Sequence, residues 1–229
     1  MNTYIKAVAA PREIVDKAVG ILREACPEIT VKLDCVFGDL TMEIEKNSAD
    51  LKEFDRAYRE ALILLNDYVY ALENVPLADR LVQLLKLRKT MLSVAESFTG
   101  GGVGKRIVGV SGASEVFFEG LNTYSNQSKM LRLGVKESTL KKYGAVSKEC
   151  AFEMVEGLLK SGNCGVCVAT TGIAGPKSDN TKKPVGLMYI AVGYEESVKV
   201  YEYNLNGSRQ DITETAINIA LFHIFKSLK

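Results

Sequence analysis

The stretch Val94–Gly109, "VAESFTGGGVGKRIVG", decides how the chain is read. Ahead of it, "TMLSVA" has the apolar character of a strand, and "VGKRIVG" behind Gly100, Gly101 and Gly102 reads as the opening of a helix. Strand, glycine-rich turn and helix form the opening unit of a layered α/β domain, where ligand loops gather at the strand ends. Neither of two familiar phosphate motifs fits the turn. A Walker loop would put Thr99 at its first glycine and Arg106 where Ser or Thr belongs, and the dinucleotide spacing GxGxxG has no register on Gly100, Gly101, Gly102 and Gly104. Two readings remain. The turn holds an anion against helix-start N–H groups, or it only turns a corner. Ser97 sits where an alkoxide or oxyanion would be stabilised, and equally where serine is common as a cap.

Working outward, further strands are expected at "GVCVATT", "VGLMYIAV" and "VKVYEYNL", with helices over Asn126–Leu133, Lys148–Lys160 and Ser208–Leu228. Upstream, residues 11–25 carry apolar positions at helical spacing between Pro11 and Pro27. The alternating segments "TVKLDC" and "DLTMEI" flank Phe37-Gly38-Asp39 as a hairpin, and a second helix starts near Asp50. The expected organisation is a small helix-hairpin-helix α/β domain over residues 1–75 and a three-layer α/β/α sandwich over residues 76–229. A short helix over Leu77–Leu87 leads into the second.

Charge and composition exclude several classes. Across 229 residues, 29 Lys and Arg stand against 28 Asp and Glu, so no basic field draws the chain onto nucleic acid. No apolar run reaches the roughly 20 residues of a membrane span, and the N-terminus lacks an apolar signal core. A cytoplasmic protein with no membrane partner is expected. Five cysteines, an odd count, fit a reducing compartment. Cys164 and Cys167 form a CxxC, but within a strand positions three apart face opposite sides, which argues against a redox or metal pair.

The single histidine, His223, lies within the terminal helix and reads as a packing residue, leaving a Ser-His-Asp triad without its base and zinc without several imidazoles. A nucleophilic Ser97 would then pass its proton to a lysine or tyrosine, and "TYSNQSKM" offers Tyr124 and Lys129 at a junction Asn126 can cap. A lysine acts as base only where burial or a neighbouring cation lowers its pKa; otherwise Lys129 is a surface lysine. Two more loops stand out. "ATTGIAGPKSDNTKKPVG" is a long irregular segment after a strand, where Thr171 and the following amides hold a ligand or Gly172 and Gly175 only shape a turn. "NGSRQDIT" places Ser208 as N-cap and Arg209 in a first helical turn, where the macrodipole disfavours a cation unless an anion or a salt bridge compensates.

Taken together, "AESFTGG", "GASEVFFEGLNTYSNQSK", "LGVKESTLKKYGAVSKE", "TGIAGP" and "KPVGLMYIAV" resemble, in family order from about Leu81 onward, the C-terminal nicotinamide-nucleotide amidohydrolase domain of the competence/damage-inducible CinA family. The unit before Leu81 resembles the linker domain that precedes it in full-length members. Their large N-terminal domain, associated with ADP-ribose pyrophosphatase activity, has no counterpart here, so that activity is expected to be absent. The resemblance implies a nucleophilic Ser97 with Glu96 beside it, and Tyr124 and Lys129 as activating groups. It implies substrate contacts from Thr99, Gly100, Gly101, Asn126, Thr171, Gly172, Ala174 and Gly175, and a nucleotide phosphate on Arg209. The implied reaction hydrolyses nicotinamide mononucleotide to nicotinic acid mononucleotide and ammonia, with no metal and no cofactor, in a homodimer. Three departures stand against the pattern: Phe98 replaces the usual Cys, Thr170 replaces an apolar residue, and Thr213 stands where a second basic residue often follows Arg209. The alternatives are a nucleotide-binding regulatory protein without turnover and an interaction scaffold using the N-terminal unit.

Overall fold

The computed structural model describes residues 2–45, 51–178, 182–195 and 197–229. They fall into two compact units, Met1–Arg80 and Leu81–Lys229. No helix among the described residues is long and apolar enough to cross a membrane.

The first unit runs β1 (Asn2–Val8), α1 (Arg12–Ala25), β2 (Thr30–Val36), β3 (Asp39–Glu45), α2 (Leu51–Leu65) and β4 (Val69–Ala71). The expected helix start at Asp50 lies outside the described residues. All pairings are antiparallel in the order β2-β3-β1-β4, the split βαβ arrangement of ferredoxin-like units. The helix-hairpin-helix expectation thus captured the middle of the unit and missed both flanking strands. In β1, Ile5 through Val8 are all buried, which erases the alternation that marks a half-buried strand. β4 has three residues, too few for a period to register. The hairpin turn is tighter than expected. Phe37 (φ 50°) and Gly38 (φ 75°) alone form it, and Asp39 already pairs with Val36. Two positive φ values in a two-residue loop match the twist of the flanking strands.

α1 and α2 close one face of this sheet, burying Val15, Ala18, Leu22, Phe54, Ala61 and Leu65 with Ile5, Met42 and Ile44. Lys6, also buried, reaches Thr41 Oγ1 (2.5 Å) and lies 3.7 Å from the Asp39 carboxylate.

The second unit follows α3 (Leu77–Arg88) with β5 (Leu92–Glu96), α4 (Gly102–Val108), β6 (Phe117–Asn122), α5 (Asn126–Leu133), α6 (Glu137–Tyr143), α7 (Lys148–Lys160), β7 (Val166–Gly172), β8 (Leu187–Tyr194), β9 (Ser197–Asn204) and α8 (Arg209–Ser227). The sheet order is β6-β5-β7-β8-β9. Its first three strands are parallel; β8 pairs antiparallel with β7, and β9 antiparallel with β8. Ala95, Cys167, Ala169 and Ala191 bury one face against Met154, Val155 and Leu158 of α7. α4 approaches the other face at Val94, and Gly102 packs so closely on Ile217 of α8 that a side chain there would collide. β6 was absent from the expected strands because it is an edge strand carrying Gly120 and alternating partial with full exposure, so few apolar positions announce it.

This order places a switch point at β5. The chain leaves β5 for β6 on one side and later returns as β7 on the other. In open α/β sheets, ligands bind outside the carboxyl ends of the strands at such a point.

Candidate functional site

β5 ends at Glu96, and its two-residue period sends consecutive side chains to opposite faces. Val94 and Glu96 face α4, whereas Ala95 and Ser97 face the α5 and α7 side. Glu96 is 2% exposed, and its carboxylate accepts the N–H groups of Gly101 (3.1 Å), Val103 (3.0 Å) and Gly104 (2.9 Å). The helix start that the sequence offers to an external anion is therefore already occupied by an internal one. A carboxylate at this position suits the helix dipole and satisfies the orphan amides of the first turn.

The glycines divide the work. Gly100 (φ 63°) and Gly101 (φ 94°) make the left-handed turn, and Gly104 lies against Val94 and the Glu96 carboxylate.

Ser97, 8% exposed, receives a hydrogen bond from Lys129 Nζ at 2.9 Å, across 32 positions of sequence. α5 starts at an N-cap formed by Ser125, which accepts the Ser128 amide (3.1 Å); Asn126, expected as the cap, is instead the first helical residue and is exposed. From there Lys129 and Leu133, four apart, share the buried stripe of the helix. Lys129 is 1% exposed. Besides Ser97, its partners among the described residues are neutral acceptors, the carbonyls of Thr123 (2.7 Å) and Tyr124 (3.3 Å). Burial lowers its pKa from the ordinary lysine range, against a small opposing influence from Cys150.

The neutral amine has two N–H donors and one lone pair. Those match two carbonyls and one hydroxyl proton, the arrangement a general base for Ser97 requires.

Tyr124 contributes its carbonyl; its side chain is 65% exposed. Thr99 and Thr170 share a 2.7 Å hydrogen bond between their buried hydroxyls, which ties the turn after β5 to the end of β7 and explains a polar residue at position 170. The Thr171 hydroxyl donates to the Ala145 carbonyl (2.8 Å). The Phe98 ring is buried and packs on the backbone of Gly172, where a side chain would collide with it. Ala174 is buried, and Gly175 (φ 81°) offers its carbonyl to Arg209 Nη1 at 2.7 Å. Arg209 is exposed in the first turn of α8, behind Ser208, whose hydroxyl and amide form a capping box with Asp211. Among the described residues no carboxylate pairs with Arg209. Thr213 is half-buried one turn further along.

A chain of contacts thus links Ser97, Phe98 and Thr99 to Thr170 and Gly172, and Gly175 to Arg209. Sequence reading missed the Thr99–Thr170 pair and the capture of the helix start by Glu96. The signal was the two-residue period of β5 run through to Glu96. In the long loop after β7, positions 179–181 lie outside the described residues. Beyond them, Lys183 donates to the carbonyls of Tyr143 (2.7 Å) and Val146 and so anchors the loop's far end.

His223 packs as expected. It stacks on Tyr201 with ring centroids 3.6 Å apart, and its Nε2 lies 2.7 Å from the Tyr203 hydroxyl. Burial pulls its pKa down to about 4.

The fold and site define an α/β protein with a buried serine–lysine pair at a sheet switch point. Residues 74–228 match the family described as the CinA C-terminal domain, and the chain belongs to that family. It is 42% identical over 183 residues to a CinA-like protein of Thermotoga neapolitana, covering 80% of this chain and 45% of that one. It is 38% identical over 202 residues to a CinA-like protein of Thermotoga maritima, covering 88% and 49%. The chain thus spans about half the length of the curated relatives it matches. Among solved structures, the competence/damage inducible protein CihA from Agrobacterium tumefaciens superposes with a TM-score of 0.64 at 34% identity, over 66% of this chain and 93% of that one. A CinA superfamily protein from Klebsiella pneumoniae gives 0.65 at 26%, over 66% and 95%.

Proposed function

We propose that the chain is a nicotinamide-nucleotide amidohydrolase that uses Ser97 as nucleophile and Lys129 as its base. The observation that carries this reading is the 2.9 Å contact between the Ser97 hydroxyl and a buried lysine whose other partners are carbonyls. Neutral Lys129 takes the Ser97 proton as Oγ attacks the carboxamide carbon, and returns it to the departing nitrogen as ammonia leaves. Water then attacks the acyl-enzyme with Lys129 again as base, which releases nicotinic acid mononucleotide and restores Ser97. The amides of Gly101, Val103 and Gly104 are engaged by Glu96, so we assign stabilisation of the oxyanion to those of Phe98 and Thr99.

Arg209 supports the phosphate end of the substrate. It is a cation in a first helical turn, held by the Gly175 carbonyl and unpaired with any described carboxylate. Thr99, Gly100, Gly101, Asn126, Thr171, Gly172, Ala174 and Gly175 are proposed to frame the substrate, the Thr171 hydroxyl by positioning the loop through Ala145. A homodimer and a role in nucleotide salvage remain part of this proposal.

Purified protein is expected to release ammonia and nicotinic acid mononucleotide in equal amounts from nicotinamide mononucleotide. Ser97→Ala is expected to lower kcat by about 10³-fold or more. Release at the unsubstituted rate by the folded Ser97→Ala protein would refute the mechanism. A second reading, a nucleotide-binding protein without turnover, is favoured by the buried Phe98 ring, which packs on Gly172 where the family pattern has a smaller cysteine next to the serine. Calorimetric binding of the mononucleotide with no ammonia released would select it.

A further inference from the structure

Cys164 and Cys167 do not sit as strand alternation predicts. β7 starts at Val166, so Cys164 lies outside the strand, beyond a bend at Gly165. That bend is held by the amides of Gly165 (3.0 Å) and Val166 (3.2 Å), both donating to the Met91 carbonyl. A side chain there would meet the Thr90 hydroxyl and displace it.

The bend brings both sulfurs to the same side. Cys167 Sγ lies 3.8 Å from the Val155 carbonyl and Cys164 Sγ 3.9 Å from that of Leu158, one turn along α7. Cys164 packs against the same apolar cluster under α7 that contains Cys167. Cys167 is fully buried, whereas Cys164 is half-buried and open to a reagent. Next to them is an unsatisfied donor. Ser93, opposite Cys167 on β5, is fully buried with an Oγ that makes no hydrogen bond among the described residues. A thiolate at Cys164 would accept from that hydroxyl. The Cys167 thiol, and more weakly Ser93, draw Cys164 below the ordinary thiol range, and the same interaction together with burial pushes Cys167 up.

From this placement we infer that Cys164 and Cys167 form a reversible dithiol–disulfide site, with Cys164 the attacking thiolate and Cys167 the resolving thiol. The co-reactant is a low-molecular-weight disulfide. Cys164 attacks one of its sulfurs, the reagent's S–S bond breaks, and one thiolate leaves. Cys167 then gives up its proton and attacks the Cys164 sulfur of the mixed disulfide, releasing the second thiol. In balance, a protein dithiol and one external disulfide become a protein disulfide and two external thiols.

The test is incubation of the full chain with oxidised glutathione under native conditions, quenching with an alkylating agent, and peptide mass analysis. Trypsin places Cys164 and Cys167 alone in one peptide, residues 161–177. That peptide is expected two hydrogens lighter, and dithiothreitol is expected to restore it, while buried Cys26 and Cys150 stay reduced. Cys167→Ser should hold one glutathione on Cys164, and Cys164→Ser should leave Cys167 unmodified. The folded pair should form its disulfide about tenfold faster than the same pair in urea, because the fold holds the resolving thiol on the same side as Cys164. The inference is overturned if the native peptide keeps both thiols, if Cys164 carries a glutathione that Cys167 never displaces, or if exposed Cys35 alone is modified. The unsubstituted chain decides these outcomes, so a variant that fails to fold does not shelter the claim.

Discussion

Each unit of the molecule buries a lysine, and the two lysines have opposite surroundings. Lys6, 7% exposed on β1, lies 3.7 Å from the Asp39 carboxylate, bonds Thr41, and sits 5.8 Å from the Tyr70 ring centroid. Lys129, 1% exposed on α5, has two carbonyls and a serine hydroxyl and no carboxylate among its described partners. Burial alone does not make a lysine a base. A counterion keeps the ammonium in place and makes the residue structural, and its absence lets desolvation favour the neutral amine.

The sharpest way to break this contrast is to remove each lysine in turn. Lys129→Met is expected to lower amidase kcat by about 10³-fold or more, whereas Lys6→Met should leave kcat per folded molecule within about twofold. Equal losses in the two variants, measured by ammonia release, would dissolve the distinction. The next effect comes from giving Lys129 the counterion it lacks. Cys150→Asp puts a carboxylate beside it, and the rising limb of the pH–rate profile should move up by about 1–3 units. In the unsubstituted protein that limb is expected to rise with pH, since only the neutral amine accepts the serine proton, and to lie below the ordinary lysine value.

Smaller effects concern stability. Glu96→Ala leaves three amides unpaired and should cost about 3 kcal/mol or above in urea unfolding, with loss of the Ser97 geometry. Lys6→Met removes the Lys6 cation from beside Asp39 and should cost less, about 1–3 kcal/mol. His223 gives a change that depends on pH. Its folded pKa of about 4 lies below the ordinary histidine value, so the unfolded chain binds the proton first as pH falls. Its contribution is therefore complete above about pH 6.5 and lost toward pH 4, amounting to about 2 kcal/mol once partial exposure is allowed for. A His223→Gln protein whose stability falls just as steeply across that window would contradict the assignment.

Much of the second unit was legible because its signals are local. The helices over Asn126–Leu133 and Lys148–Lys160 match the expected bounds, since Ser125 and Ser147 cap their starts and Gly134 stops the first. The strands that escaped, β1, β4 and β6, lack a readable period: one is buried on both faces, one is three residues long, one is an edge. The CxxC misled for a related reason. Alternation holds only inside a strand, and the strand begins after Cys164.

What the sequence determined by itself is the set of reactive groups and their local frames: a serine after a strand, a glycine turn, a lysine on a capped helix, and no second histidine to serve as base. Tertiary structure alone decided which of them meet. Whether Lys129 is a surface cation or a base depends on contacts made across 32 positions and on which acceptors surround it once water is gone. That depends on sheet order, because side-chain chemistry is written residue by residue, while desolvation and the presence or absence of a counterion are properties of the packed whole.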